Sequence, residues 1–202
     1  MVKRLLVSAC LLLIGLGVAL ADTEFWTVNT VQIPVKQGVS FSLIPELRVR
    51  SNLSELYYLR TYFGPTFSIN NNLGLSVYYA PTATKSAATG NWSTSNILVG
   101  DAVSAWPLIS NRWRLEYDYG TALLKVRDRV QLKYNGWVLG EEPFYNCQRG
   151  YIDENRASLG YSIKLTDRFS LEPGWLLRSQ RTSSGGSWTN TNIVTVNSSI
   201  KI

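Results

Sequence analysis

The 202-residue chain contains no histidine. That removes the usual general base and the commonest transition-metal ligand together. No catalytic residue, metal or cofactor is expected, and we read the chain as a non-enzyme. Cysteine is almost absent. Cys10 falls in an N-terminal targeting segment, so Cys147 is the only thiol of the mature chain and no internal disulfide can form. After that segment no apolar run approaches the ~20 residues that a membrane helix needs. No basic tract is present either. The Lys and Arg residues are dispersed through alternating segments, which argues against a nucleic-acid surface.

The first residues form an export signal. Lys3 and Arg4 are the basic start, Leu5 to Leu20 are apolar, and Ala19-Leu20-Ala21 is a small-x-small cleavage site. Residues 1–21 are therefore expected to be removed, leaving 22–202 as one domain. Without Lys3 and Arg4 the chain has 18 basic and 14 acidic residues, a net charge of +4.

What remains is alternation. Val39, Phe41, Leu43, Pro45, Leu47 and Val49 fall on one parity, with Ser40, Ser42, Ile44, Glu46, Arg48 and Arg50 on the other. In 57–69, Tyr57, Leu59, Phe63 and Phe67 alternate with Tyr58, Arg60, Tyr62 and Gly64. In 112–120, Trp113, Leu115, Tyr117 and Tyr119 oppose Arg112, Arg114, Glu116 and Asp118. A period of two sends these sets to opposite faces of a β-strand. An oily, aromatic face backed by a charged one is the pattern of a transmembrane barrel wall, lipid outside and polar bore inside. The expected fold is all-β: a single closed antiparallel transmembrane barrel of about 10–12 strands in a bacterial outer membrane. A soluble β-sandwich or lipocalin-like barrel is the alternative, with the apolar parity turned inward.

Strands are expected at 25–33, 39–50, 57–69, 73–80, 95–105, 112–120, 125–134, 137–146, 154–165, 169–179 and 190–202. Gln37-Gly38, Asn70-Asn71-Asn72, Asn135-Gly136 and Thr166-Asp167 mark tight turns between them. The connections 51–56, 81–94, 121–124, 147–153 and 180–189 are longer. If the last strand ends in the periplasm, the longer connections all fall outside and the short turns all fall in the periplasm, as in outer-membrane barrels. Eleven strands is an odd number, whereas bacterial single-chain barrels are even, so ten or twelve is the expectation. Pro45, Pro65 and Pro173 lie within strands and mark bulges or count against the wall. Trp26, Trp106, Trp113, Trp137, Trp175 and Trp188 lie mostly near strand ends, as aromatic girdles require.

The candidate site is the charged parity: Glu46, Arg48, Arg60, Arg112, Arg114, Glu116, Asp118, Arg127, Arg129, Lys133, Glu154, Arg156, Lys164, Glu172 and Arg178. Inside a narrow barrel these side chains would fill the bore as Arg–carboxylate ladders. The alternative is a narrow wet pore whose excess of Arg prefers anions. A filled bore is the first expectation, because only wide barrels leave large channels. Glu141-Glu142 is the obvious carboxylate pair, but adjacent strand residues face opposite sides. Each of the pairs Tyr57-Tyr58 and Tyr78-Tyr79 should place one ring outside and one in the bore. Cys147 is read as a lone loop thiol. The connection 81–94, with Lys85 and Trp92, is a candidate contact for a partner or surface glycan.

Ordered motifs then suggest a family. Arg112-Trp-Arg-Leu-Glu-Tyr117, Arg127-Asp-Arg-Val-Gln-Leu-Lys-Tyr134, Glu141-Glu-Pro-Phe-Tyr145 and Glu154-Asn-Arg156 leading into Leu159 to Leu165 resemble the bacterial family catalogued as domain of unknown function 2490. Trp26, Glu46-Leu-Arg48 and the run Trp188 to Ile202 fit as well, so the resemblance spans nearly all of 22–202. It implies an outer-membrane β-barrel and no particular activity. The partners implied are outer-membrane lipid and the barrel-assembly machinery, with no nucleic acid and no identified ligand.

Overall fold

A computed structural model describes residues 23–51 and 53–202. The expected signal peptide lies outside the described residues. Regular structure among them is entirely β. The strands are β1 (Glu24–Lys36), β2 (Val39–Arg50), β3 (Glu55–Ser68), β4 (Leu73–Lys85), β5 (Trp92–Ala105) and β6 (Ile109–Asp118), followed by β7 (Leu123–Tyr134), β8 (Trp137–Asn146), β9 (Tyr151–Tyr161), β10 (Ile163–Lys164), β11 (Phe169–Gln180) and β12 (Thr189–Lys201). Each pairs with the next around a single sheet, except that both β9 and β10 pair with β11. Gly160 faces Gly174 and Ile163 faces Leu171 in one unbroken register. β10 is thus the continuation of β9 beyond Ser162, and the wall has eleven strands.

The sheet closes on itself through β1 and β12, which run parallel from Glu24↔Ile193 to Gln32↔Lys201. An odd number of successive antiparallel strands leaves the first and last pointing the same way. The strand count read from the sequence therefore stands, and the preference for ten or twelve is corrected. β1 is a full wall strand, and the parity conflict is resolved by one parallel seam, slightly weaker per residue than antiparallel pairing.

The prolines explain the breaks in the ladders. Pro173 lacks the N–H that would bond Tyr161, and the β9–β10 interruption falls there. Pro45 sits where β1–β2 pairing lapses between Val28↔Glu46 and Val31↔Leu43. Pro65 lies in a gap of the β3–β4 ladder between Phe63↔Tyr79 and Thr66↔Ser76. In each case pairing resumes in the same register, so one missing donor costs a bond without a slip of the faces.

Connections sort by end. Residues 37–38, 69–72, 106–108, 135–136 and 165–168 turn the chain at one end, which we call the turn end. Residues 51 and 53–54, 86–91, 119–122, 147–150 and 181–188 lie at the other, the loop end. β4 and β5 extend to Lys85 and from Trp92, so the expected 81–94 connection shrinks to six residues. Asn135, at φ 48°, and Gly136, at φ 86°, take the left-handed conformations of a tight hairpin.

The faces follow the alternation. On β6, Trp113 is 56 % and Leu115 54 % exposed, while Arg114 between them is 5 % exposed. Phe41, Leu43, Phe63, Phe67, Leu75 and Val77 likewise point out. The inward face is charged over β6–β9, and over β3–β5 it holds an apolar cluster of Tyr62, Tyr78, Ala80, Ile97 and Val99 beside the charged Arg60 and Asp101. One outward stretch breaks the rule. Asp128 and Glu141 share the parity of Val130 and Leu139, and Asn155 donates from Nδ2 to Glu141 Oε1 at 3.3 Å.

Candidate functional site: a charged network across the bore

The period of two brings carboxylates and guanidiniums of neighbouring strands face to face inside the barrel. Asp101 on β5 lies directly opposite Arg114 on β6. Arg114 donates from Nε to Oδ1 and from Nη2 to Oδ2, both at 2.6 Å. This two-pronged geometry is the strongest form of such a pair. Glu116 takes Arg127 as its close partner, with Arg60 at 3.5 Å and Arg114 at 3.6 Å. Arg127 bridges to Glu142 at 2.9 Å, which Arg112 also contacts and Arg156 approaches at 3.9 Å. Glu46 accepts from Arg48 Nε at 2.8 Å, and Glu154 holds Arg156. Glu24 accepts from Arg178 at 2.9 Å, from Tyr57 Oη at 2.6 Å and from Trp26 Nε1 at 2.8 Å.

Aromatic rings connect these groups. Arg48 lies 3.8 Å from the Trp26 ring centroid and 4.1 Å from that of Tyr58. Arg156 lies 4.8 Å from Trp26 and 4.3 Å from Phe144, and Arg127 also lies 4.3 Å from Phe144. Tyr62 receives Arg114 at 4.9 Å. Desolvated cation–π contacts contribute up to about 2 kcal/mol each. They give buried cations company where one carboxylate must serve several.

A cavity of about 360 Å³ opens toward the turn end and one of about 230 Å³ toward the loop end. Arg48, Arg127 and Arg156 line both and form the partition between them. A third hollow, at the loop end, lies among Lys125, Asn146, Arg149, Asp153 and Arg181.

Ten of the residues singled out from the sequence join this network: Glu46, Arg48, Arg60, Arg112, Arg114, Glu116, Arg127, Glu154, Arg156 and Arg178. Arg129, Lys133 and Glu172 line the turn-side cavity. Asp118 lines the loop-side cavity and caps the Gly120 N–H at 2.8 Å. Lys164 stands apart, pairing with Asp167 in solvent at the turn end.

Three acidic members escape the sequence pattern. Asp101 shares its parity with Ile97 and Val99, so alternation alone assigns it to an oily face. Glu24 precedes any periodic run. Glu142 stands next to Glu141 in the sequence, and the two face opposite ways as strand geometry requires: Glu142 is buried and Glu141 exposed. Two aromatic expectations are corrected. Trp26 is buried in the bore instead of lying in a girdle. Tyr57 and Tyr58 are both buried, because a register shift beside Arg48 and Val49 turns consecutive residues to the same side. Tyr78 and Tyr79 separate as expected, one buried and one exposed.

These features define an eleven-stranded closed β-barrel with an apolar outer wall and a buried Arg/Glu network within. Residues 23–190 match the model of the family described as protein of unknown function (DUF2490), and the chain belongs to that family. The match ends at the start of β12, so the closing strand lies beyond it. No curated protein matches the chain.

Proposed function

We propose that this protein is a non-enzymatic outer-membrane β-barrel with a structural or binding role, its bore closed by the Arg–carboxylate–aromatic network. The observation that carries this is the inverted distribution of side chains: large apolar groups point out from nearly every strand while the bore holds charge. Soluble monomers rarely expose contiguous apolar patches beyond a few hundred Å². A lipid-facing wall requires them. Strands of 10–14 residues also reach or exceed the ~9–11 needed to span the hydrocarbon layer. Residues 1–21 supply export, and the turn end faces the periplasm. Outer-membrane lipid and the barrel-assembly machinery are the partners this location entails. Membrane fractionation and gel mobility with and without boiling test it. The protein should enter the outer-membrane fraction and migrate faster unboiled. Recovery from soluble periplasm, folded without detergent, would refute it.

A second reading is a narrow anion-leaning pore. It is favoured by the turn-side cavity, where basic lining residues outnumber acidic ones seven to three. Planar-bilayer recording separates the two. A closed bore gives no unitary conductance. A pore gives anion-preferring steps that change when Arg114 or Arg129 becomes Glu.

A further inference from the structure

We propose that the turn-side cavity is a binding site for a phosphate-type oxyanion held by Arg112, Arg129 and Lys133. This goes beyond the closed-barrel reading, and it concerns one compartment of the bore. Its first support is an unfavourable juxtaposition. Arg112 on β6 lies directly opposite Arg129 on β7, and Arg114 directly opposite Arg127. Like charges so placed on adjacent strands repel.

Neighbouring carboxylates do not answer this charge evenly. Arg114 has Asp101 to itself on the fork–fork geometry, and Arg127 has Glu116. Glu142 is left to serve Arg112, Arg127 and Arg156 together. Among the described residues, Arg129 and Lys133 make no ion pair. The second support is unused donors. The Nε atoms of Arg112, Arg127 and Arg129 are buried without a hydrogen-bond partner, and the Arg127 residue is only 6 % exposed. A buried donor left unmade is expensive, and guanidiniums crowded together with too few carboxylates favour an anionic guest beside them.

The cavity has the size and the remaining chemistry for such a guest. Its volume of about 360 Å³ falls at the small end of the ~300–1,000 Å³ typical of ligand pockets. Hydroxyl and amide groups of Ser170, Asn197 and Ser199 face the guanidinium wall from β11 and β12. They can donate to oxygens that the cations leave free. Lys133 is exposed near the turn-end mouth, where it can meet an entering anion. The oxyanion can be free inorganic phosphate or a phosphate carried on a lipid headgroup.

The test is calorimetric titration of the folded barrel in non-ionic, phosphate-free micelles. One arm uses inorganic phosphate, the other a short-chain phosphatidic acid. Variants are Arg129→Gln and Lys133→Gln, with Lys201→Gln as the control. Arg129 gives up no ion pair on substitution, so the barrel should still assemble; unboiled gel mobility verifies this, and exposed Lys133 provides an independent variant if it does not. Saturable binding that Arg129→Gln or Lys133→Gln weakens about tenfold or more, and Lys201→Gln leaves unchanged, supports the site. Binding of inorganic phosphate identifies the free ion as sufficient; binding of the lipid alone identifies the headgroup. No binding in either arm, or binding indifferent to both cavity variants, overturns the proposal. Because the barrel is assayed in micelles, this result is independent of the membrane in which it resides.

Discussion

Glu142→Gln should destabilise the barrel severely, whereas Glu141→Gln, one residue away, should do almost nothing. Glu142 is buried and accepts from Arg112 and Arg127, with Arg156 at 3.9 Å. Two charge-assisted hydrogen bonds contribute about 1.5–3 kcal/mol each. Removing one partner of a buried ionic cluster costs about 3–5 kcal/mol, because the cations stay behind uncompensated. Taking about 4 kcal/mol and a urea slope near 2 kcal/mol/M, the unfolding midpoint should fall by about 2 M. Glu141 is exposed on the outer face and receives one 3.3 Å bond from Asn155, so its loss should stay within about 0.5 kcal/mol. The assay is urea unfolding in lipid vesicles, followed by tryptophan emission and unboiled gel mobility. Adding Arg112→Gln to Glu142→Gln should recover part of the loss, since one stranded cation is removed. Equal shifts for Glu141→Gln and Glu142→Gln, or a Glu142→Gln shift below 0.5 kcal/mol, would refute the placement of this network in a desolvated bore.

Three other outcomes follow from the geometry. Gly64→Ala should block or strongly weaken assembly, because a Cβ there would collide with the Val77 carbonyl oxygen, while Gly100→Ala, with nothing within 4 Å, should be tolerated; yields of the heat-modifiable form compare them. The parallel seam puts the start of β1 and the end of β12 at opposite ends, so epitope tags before Thr23 and after Ile202 should differ in protease accessibility on intact cells, and equal accessibility would contradict an odd barrel. Replacing Arg48, Arg127 and Arg156 together with Ala removes the shared partition of the two cavities; the variant should conduct in planar bilayers where the parent does not, if it folds.

Much of the wall was legible from residue order alone, because burial on one side of a sheet imposes a period of two on every strand. Arg112 to Asp118 and Val39 to Arg50 carry that period cleanly and fall where expected. Closure was not legible in the same way. Whether β1 meets β12 in parallel depends on strand count and curvature, and no local pattern in 24–36 or 189–201 encodes it. The bore was partly legible. Basic members stood out against apolar neighbours, yet their acidic partners Asp101 and Glu24 sit where flanking residues are apolar or aperiodic. The rings of Trp26, Tyr58 and Phe144 carry no charge to betray an inward direction. At Tyr57 a single register shift beside Val49 reverses parity, and nothing in the local sequence announces it.

The central claim is that the apolar face meets lipid, and tryptophan quenching by lipids brominated along their tails tests it most directly. The chain has seven tryptophans, so variants retaining one, with Phe at the other six, report single positions. Trp175 is 40 % exposed on the outer face of β11, and Trp26 is 3 % exposed in the bore. In reconstituted vesicles Trp175 emission should be strongly quenched and Trp26 emission barely changed. Trp175 emission indifferent to the bromines, in protein verified as folded and vesicle-bound, would contradict a lipid-facing wall.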